Sequence, residues 1–259
     1  MDRPARSFSQ PLLDRLRRAR RIAVLTGAGI SAESGIATFR DPGGLWSRFR
    51  PEDLANVDAF LRKPDLVQRW YAERRRIAAE AEPNAGHRAL VDLEAMTDDF
   101  TLITQNVDGL HRRAGSRNVL ELHGNINRNY CIACRAPAPE GFADRLAEGA
   151  PADCPSCGGF IRPDVVWFGE LLPADATEQA FAAARRADVV LSIGTSGVVF
   201  PAAQIPLTGR DHGAYAVEIN IEPSAIAGYM DETLIGPAGT VLPELLSALR
   251  EQAGEPVGE

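Results

Sequence analysis

Lysine is all but missing from this 259-residue chain: Lys63 stands alone among 28 basic residues, and the rest are arginine. Genome composition alone can produce such a bias, so it selects no function. An excess of positive charge is missing too. The net charge is −7, which excludes non-specific grip on DNA or acidic membranes, since both need a basic field. No run approaches the roughly 20 apolar residues of a membrane span. The run Ile22-Ala23-Val24-Leu25 is too short for the core of a secretory signal. The basic stretch "LLDRLRRARR" has the character of a mitochondrial presequence, but it leads straight into the first expected strand. A removable leader is therefore not expected, and the cytoplasm is the expected compartment. Internal repeats and low-complexity tracts are also absent.

What is present is ordinary for a globular protein, 45% apolar and 24% charged, and long enough for one large domain with a satellite. Residues 10–20 read as a helix with Leu12, Leu13, Leu16 and Ala19 on one face. Short apolar runs at 22–25, 100–103, 119–122, 189–193 and 215–219 read as buried strands, with helical stretches at 85–96, 174–186 and 242–249. Strands alternating with helices predict an α/β fold with a doubly wound, mostly parallel, Rossmann-like sheet. Two regions break the rhythm. Residues 42–83 are helical and charged; residues 125–163 are strand-poor and hold every cysteine. The expected organisation is a main domain of 1–41, 84–124 and 164–250, a smaller domain built from the two insertions, and a tail at 251–259 without fixed structure.

The four cysteines come as Cys131-x-x-Cys134 and Cys154-x-x-Cys157, nineteen residues apart. That spacing suits a tetrahedral zinc site, each pair offering two thiolates to one ion. Two disulfides are the rival reading, and they fit poorly in a chain without an export signal. Four thiolates leave no open position for water, so the ion is expected to be structural, one zinc stapling a core-poor insertion.

After the first strand, "VLTGAGISAESGIATFRD" supplies Gly27 and Gly29 with Ala32, a pattern that permits a tight turn and close approach of backbone to a pyrophosphate. Glycines after a strand also serve plain turns. Hydride-transfer enzymes add an acidic residue at the end of a second strand about 20 residues on. Here that stretch is "FRDPGGLWSRFRPED", with no apolar strand leading into Glu52 or Asp53. A better ribose site closes the strand "YAVEINIEP", at Asn220 and Glu222, and "SIGTSG" offers a second loop of backbone donors. The dinucleotide site is thus wired unlike a dehydrogenase.

Polar segments "TQNVDGLH" and "LELHG" follow two of the strands, where ligands of such sheets bind. His123 stands there as a general base for near-neutral pH, or as a histidine satisfying a loop carbonyl. His87, His111 and His212 lack that context, and His111 is expected to pack on a helix. Asn106 and Asp108 suit either the ligand crevice or a helix cap and turn.

Taken in order, "GAGIS", "GIATFRD", "TQNVDGLH", "LELHG", the paired Cys-x-x-Cys, "WFGE", "GTSGVV" and "INIEP" resemble the sirtuins, the NAD-dependent protein deacylases, over residues 15–250. The resemblance implies that NAD is consumed. The amide oxygen of an acylated lysine attacks the nicotinamide ribose, nicotinamide leaves, a histidine activates a ribose hydroxyl, and free lysine and 2′-O-acyl-ADP-ribose result. It implies His123 as the base, and the main domain as the NAD-binding one. Gln105, Asn106, Val107 and Asp108 would line the nicotinamide pocket, with Phe39, Arg40 and Trp46 on a covering loop. Gly27, Ala28, Gly29, Ser31, Ala32, Gly35, Gly194, Thr195 and Ser196 would approach phosphates and ribose. Asn220, Ile221, Glu222 and Ala238 would hold the adenosine. Val166, Phe168, Gly169 and Val198 would lie on the two edges between which a substrate peptide adds as a strand. The expected partners are acylated lysine side chains of proteins, with no nucleic acid and no membrane, and a monomer is expected.

Within the helical insertion, "QRWYAERRR" puts Tyr71 and Arg74 on one helix face. A guanidinium can hold a carboxylate through two parallel bonds and a tyrosine can add a third. Read without the resemblance, Arg69, Glu73 and the neighbouring arginines make a solvated charged face. With it, Tyr-x-x-Arg marks the branch that removes succinyl, malonyl and glutaryl groups, and Ala55 matches a small residue widening the acyl pocket. An ADP-ribosyltransferase and a non-catalytic module binding NAD or ADP-ribose are the alternative readings.

Overall fold

The computed structural model describes residues 6–38, 54–142 and 153–253. Its frame is a six-stranded sheet in the order β3-β2-β1-β6-β7-β8, from β1 (Arg21–Thr26), β2 (Asp99–Thr104), β3 (Val119–Glu121), β6 (Val189–Ile193), β7 (Tyr215–Asn220) and β8 (Glu232–Ile235). Every neighbouring pair runs parallel. The order reverses between β1 and β6, and ligand crevices of such sheets open at that switch point, beyond the carboxyl ends of the strands.

These strands read as unbroken apolar runs because both sheet faces are covered. Ile22 and Val24 of β1 face a core shared with α1 (Gln10–Arg18), α4 (Ala85–Ala95) and α8 (Ala238–Ala253). Ala23 and Leu25 face the opposite core, closed by α6 (Ala174–Arg186) and α7 (Gln204–Asp211). Each fully buried aliphatic contributes about 1.5–3 kcal/mol. The entry of α1 follows from Ser9, whose side chain accepts from the Leu12 N–H at 3.2 Å.

The expected helix at 10–20 ends at Arg18, the one at 242–249 starts earlier at Ala238, and edge strand β8 carries no clear sequence pattern. Helix α8 also runs through Ala253, so three residues of the expected tail are helical. After β1 the chain makes a 3-10 turn over Ala28–Ser34, not the start of an α-helix. The second insertion is less strand-poor than its composition suggests. It opens on β4 (Gly124–Cys131), which pairs antiparallel with β5 (Ile161–Val165) across an irregularity between Asn125 and Asn129. Strand β5 therefore runs through the boundary expected at 163/164.

Helices α2 (Val57–Arg62) and α3 (Pro64–Glu80) of the first insertion pack on that ribbon. Leu54, Ala55, Phe60, Val67 and Tyr71 form a third core with Ile126 and Trp167. A short α5 (Leu110–Ala114) links β2 to β3. Among the described residues no helix is long and apolar enough to cross a membrane.

Candidate active site

Three loops meet beyond the ends of β1, β2, β6 and β7. The Gly27 N–H donates to Ile193 O at 3.0 Å and the Gly29 N–H to Gly194 O at 2.8 Å. A Cβ on Gly27 or Gly29 would lie 2.8 or 2.7 Å from Gly194 backbone, and one on Gly194, at φ +60°, 2.5 Å from Ile30 N. The glycine requirement here comes from two loops packing against each other. The Gly27 and Gly29 amides are engaged within the protein, which sets the tight turn that the sequence pattern permits. Loop 194–197 is further held by Asn220, whose side-chain amide donates to Thr195 O at 2.9 Å.

The segment after β2 closes the crevice floor. Gln105 Nε2 donates to Thr195 Oγ1 at 3.0 Å. Asn106 Nδ2 donates to Gly27 O and Ser31 Oγ, both at 3.1 Å, and Ser31 Oγ donates to Asp108 Oδ2 at 2.8 Å. Asp108 also accepts from the Leu110 N–H at 2.9 Å, as a turn residue would. Burial pushes its carboxyl pKa up, opposed by the Leu110 and Ser31 bonds and by the Arg74 charge. The turn reading of Asp108 is thus realised.

His123 sits half-buried where β3 gives way to β4. Its Nδ1 lies 2.9 Å from Gln105 O. A carbonyl only accepts, so Nδ1 carries the proton and Nε2 holds the lone pair, the tautomer a general base requires. Burial lowers the pKa below the ordinary 6.5, with the Gln105 bond acting in the opposite sense. The His123 carbonyl accepts from Val166 N at 2.9 Å, and Ala55 O accepts from Phe168 N at 3.0 Å. The "VVWFGE" segment is so pinned between His123 and the helical insertion, with Phe168 and Gly169 exposed.

Helix α3 has two charged faces with different fates. Arg76 pairs with Glu73 and Glu80, each at 2.7 Å, in solvent, as the solvated-face reading expects. Tyr71 and Arg74 turn inward instead: Tyr71 is only 2% exposed, and the Arg74 guanidinium lies 4.8 Å from the Trp70 ring and 5.7 Å from the Tyr71 ring. Burial lowers the Arg74 pKa, and Asp108 counts among the charges acting on it. The Tyr71 hydroxyl accepts from Trp167 Nε1 at 2.8 Å, a partner the sequence did not announce.

The four cysteine sulfurs lie within 4.8 Å of one another. Cys131 and Cys157 Sγ are 3.5 Å apart, and Cys134 and Cys154 Sγ 3.7 Å. Tetrahedral zinc with Zn–S bonds of about 2.3 Å places its sulfurs about 3.8 Å apart, so the donor set fits. Both knuckles are built alike: Arg135 and Gly158, each following the second cysteine of its pair, adopt left-handed φ of 64° and 71°. The N–H of Ser156, ahead of other contributions, pulls the Cys154 thiol down to about 7, towards the thiolate that a metal needs. All four thiols are free of disulfides.

The Sir2 family model matches residues 27–201, a span holding the glycine turn, His123 and all four cysteines. The chain belongs to the Sir2 family. Among its Sir2 relatives, NAD-dependent protein deacylase 2 of Pyrobaculum aerophilum is 52% identical over 92% of this chain and 95% of its own. NAD-dependent protein deacylase 1 of Pseudomonas aeruginosa is 50% identical over 88% and 94%. A Sir2 homologue solved as an NAD complex superposes with TM-score 0.88 at 42% identity, covering 97% of both chains. A Sir2 complex with a p53 peptide and NAD superposes with TM-score 0.83 at 33% identity, over 95% of this chain and 98% of that one.

Of the Sir2 residues expected at the site, Phe39, Arg40 and Trp46 lie outside the described residues. Ala28, Ala32 and Gly35 ride the 3-10 turn and its left-handed end, Ser196 the facing loop, and Val107 caps the third core. Ile221, Glu222 and Val198 are exposed and Ala238 is buried at the head of α8. The sequence overlooked the threonines below the crevice. Thr26 Oγ1 donates to Thr104 Oγ1 at 2.8 Å and lies 2.9 Å from His111 Nε2. His111, expected only to pack on a helix, reaches into the sheet end, its ring tilted at 56° to that of His87 with centroids 4.8 Å apart. Arg162 and Trp167 were also passed over, although "WFGE" had drawn attention.

Proposed function

We propose that this chain is an NAD-dependent protein-lysine deacylase that takes succinyl, malonyl or glutaryl groups as well as acetyl. The observation that carries the reading is His123: an imidazole tied by Nδ1 to a backbone carbonyl, with no Nε2 partner among the described residues, beside the loops at the strand ends and the pinned segment after β5. NAD, when bound, supplies the ribose carbon that the acyl oxygen attacks as nicotinamide leaves. The chain's part is to hold and to move protons. Asn106, Asp108, Gln105 and Ser31 position the nicotinamide ribose, and Asn220 with Glu222 the adenosine end. His123 Nε2 then takes the proton of a ribose hydroxyl. Val166, Phe168 and Gly169 on one side and Val198 on the other grip the substrate backbone. The two insertions act as one small unit around their shared core, with the four cysteines holding one zinc.

The acidic preference rests on Tyr71 and Arg74 lying side by side, Tyr71 in the core that also holds Ala55, with Asp108 among the charges felt by Arg74. A planar guanidinium and a phenol suit a carboxylate at the far end of the acyl chain. The test is a panel of acetyl-, succinyl-, malonyl- and glutaryl-lysine peptides with NAD, read by mass spectrometry for lysine and 2′-O-acyl-ADP-ribose. Charged hydrogen bonds of this type are worth about 1.5–3 kcal/mol each. Arg74→Met should thus lower the succinyl-to-acetyl ratio of kcat/KM about 100-fold. Equal losses on both substrates would make Arg74 purely structural. Label from NAD left on a protein acceptor would favour the transferase.

A further inference from the structure

Trp167 is the largest fully buried side chain of the described residues, and the reaction as derived gives it no task. Its surroundings are unusual. The Arg162 guanidinium, itself 2% exposed, lies 3.5 Å from the centre of the Trp167 ring. Arg162 donates to Glu170 Oε1 at 2.5 Å and Oε2 at 2.9 Å, and to Val165 O at 2.8 Å. Glu170 Oε2 in turn accepts from the Trp167 N–H at 2.8 Å. The Arg162 cation–π contact thus holds the indole face while Glu170, paired with Arg162, holds the Trp167 backbone N–H; the indole's only polar atom, Nε1, points at Tyr71. Burying a guanidinium is costly unless it is paired, and here Glu170 pairs Arg162 against the indole.

Indole nitrogen donates and never accepts. At 2.8 Å the Tyr71 oxygen must therefore be the acceptor. A phenol O–H lies in its ring plane in one of two opposed orientations. With one side occupied by the indole donor, the proton takes the other. Donation into the phenol oxygen also strengthens that proton as a donor. We propose that Trp167 is a positioning residue for acyl selectivity: its indole N–H, clamped by Arg162 and Glu170, fixes the Tyr71 hydroxyl as an outward donor for the carboxylate of a dicarboxylic acyl group. The inference rests on the acidic-acyl reading of Tyr71 and Arg74. It links the strand edge that grips the peptide to the pocket that reads the acyl chain, through a residue touching neither the acyl carboxylate nor the ribose.

The experiment compares wild type, Trp167→Phe, Tyr71→Phe and the double variant, each zinc-loaded, on succinyl- and acetyl-lysine peptides with saturating NAD. Trp167→Phe keeps an aromatic ring and removes the N–H. The expected result is a roughly tenfold fall in the succinyl-to-acetyl ratio of kcat/KM, carried by KM for the succinyl peptide. Because Trp167 acts through Tyr71, the double variant should match Tyr71→Phe alone. A merely structural role would lower both activities together and leave the ratio untouched. That outcome, or fully multiplicative losses in the double variant, overturns the proposal. Should Trp167→Phe not fold, site-directed incorporation of benzothienylalanine at position 167, which has the indole shape with sulfur in place of N–H, gives the same comparison. A wild-type enzyme without preference for the acidic peptide sinks the acyl reading and this inference together; a preference that Trp167→Phe leaves intact sinks the inference alone.

Discussion

The sheet domain and the cysteine unit solve the same problem with different means. Around the sheet, the described residues form cores of 23 and 13 buried members, and burial on that scale can hold the loops of the crevice without outside help. Among the described residues the cysteine unit has a cluster of four around the knuckles, Cys131, Phe142, Cys154 and Ile161, of which two are themselves candidate metal ligands. Further apolar burial of the ribbon, Ile126 with Ile132, Phe160 and Val165, lies in the core it shares with α2 and α3. Stability in one region is spread over large apolar cores; in the other, a zinc held by the four cysteines would add to a smaller one. His123, the proposed base, stands at the seam, with Nδ1 bonded into the sheet side and its carbonyl bonded to Val166, the residue after β5.

The contrast breaks most visibly at a cysteine. Cys154→Ser should abolish stoichiometric zinc and cost the cysteine unit roughly 5 kcal/mol or more, since structural zinc supplies about 10–16 kcal/mol of apparent binding energy in small modules. Hydrogen exchange provides the check: amides of β4 and β5 should lose protection while those of β1, β2, β6 and β7 keep theirs. Uniform loss over both regions would mean that they unfold as one and that the contrast is false.

Next in size is the seam itself. His123→Ala should lower deacylation about a thousandfold, within the range of general-base contributions, with zinc content and melting temperature unchanged. In the wild-type enzyme the base is active only when neutral. Because burial holds His123 below its ordinary value of 6.5, the acid limb of the kcat/KM profile should bend at a pH below that value. A limb at or above 6.5, or an unaltered rate in the variant, would remove His123 from the chemistry.

The smallest effect sharpens the sheet side. His87 is held down to about 4, chiefly by burial and then by the Arg88 charge, and His111 is lowered by burial and by His87. Between the ordinary 6.5 and that depressed value the unfolded chain binds more protons than the folded one. The sign follows: stability present above pH 6.5 is lost as pH falls through this window. For His87 the loss is about 2 kcal/mol between pH 6.5 and 5. Denaturant unfolding of wild type and His87→Gln should show the pH slope reduced in the variant, and an identical slope would remove the buried histidine as its cause.

Much of this was legible in one dimension. Strands such as Val189–Ile193 read directly from the sequence because a parallel sheet covered on both faces needs unbroken apolar runs. Edge strand β8 was not legible, since Glu232–Ile235 is only half-buried and mixes polar with apolar residues. The cysteine spacing announced a metal because ligand geometry is local. The Tyr71–Trp167 bond joins residues 96 positions apart, and no spacing rule reaches that far.

The sequence alone determined which segments could be buried, where the chain must turn, and which side chains bear chemistry, because periodicity and residue type act over a few residues. The tertiary structure alone decided what those residues face. It put Gly27 and Gly29 against Gly194, turned Arg74 inward while Arg76 stayed in solvent, and chose the tautomer of His123. Direction and partnership depend on contacts between distant segments, and such contacts exist only once the chain has folded.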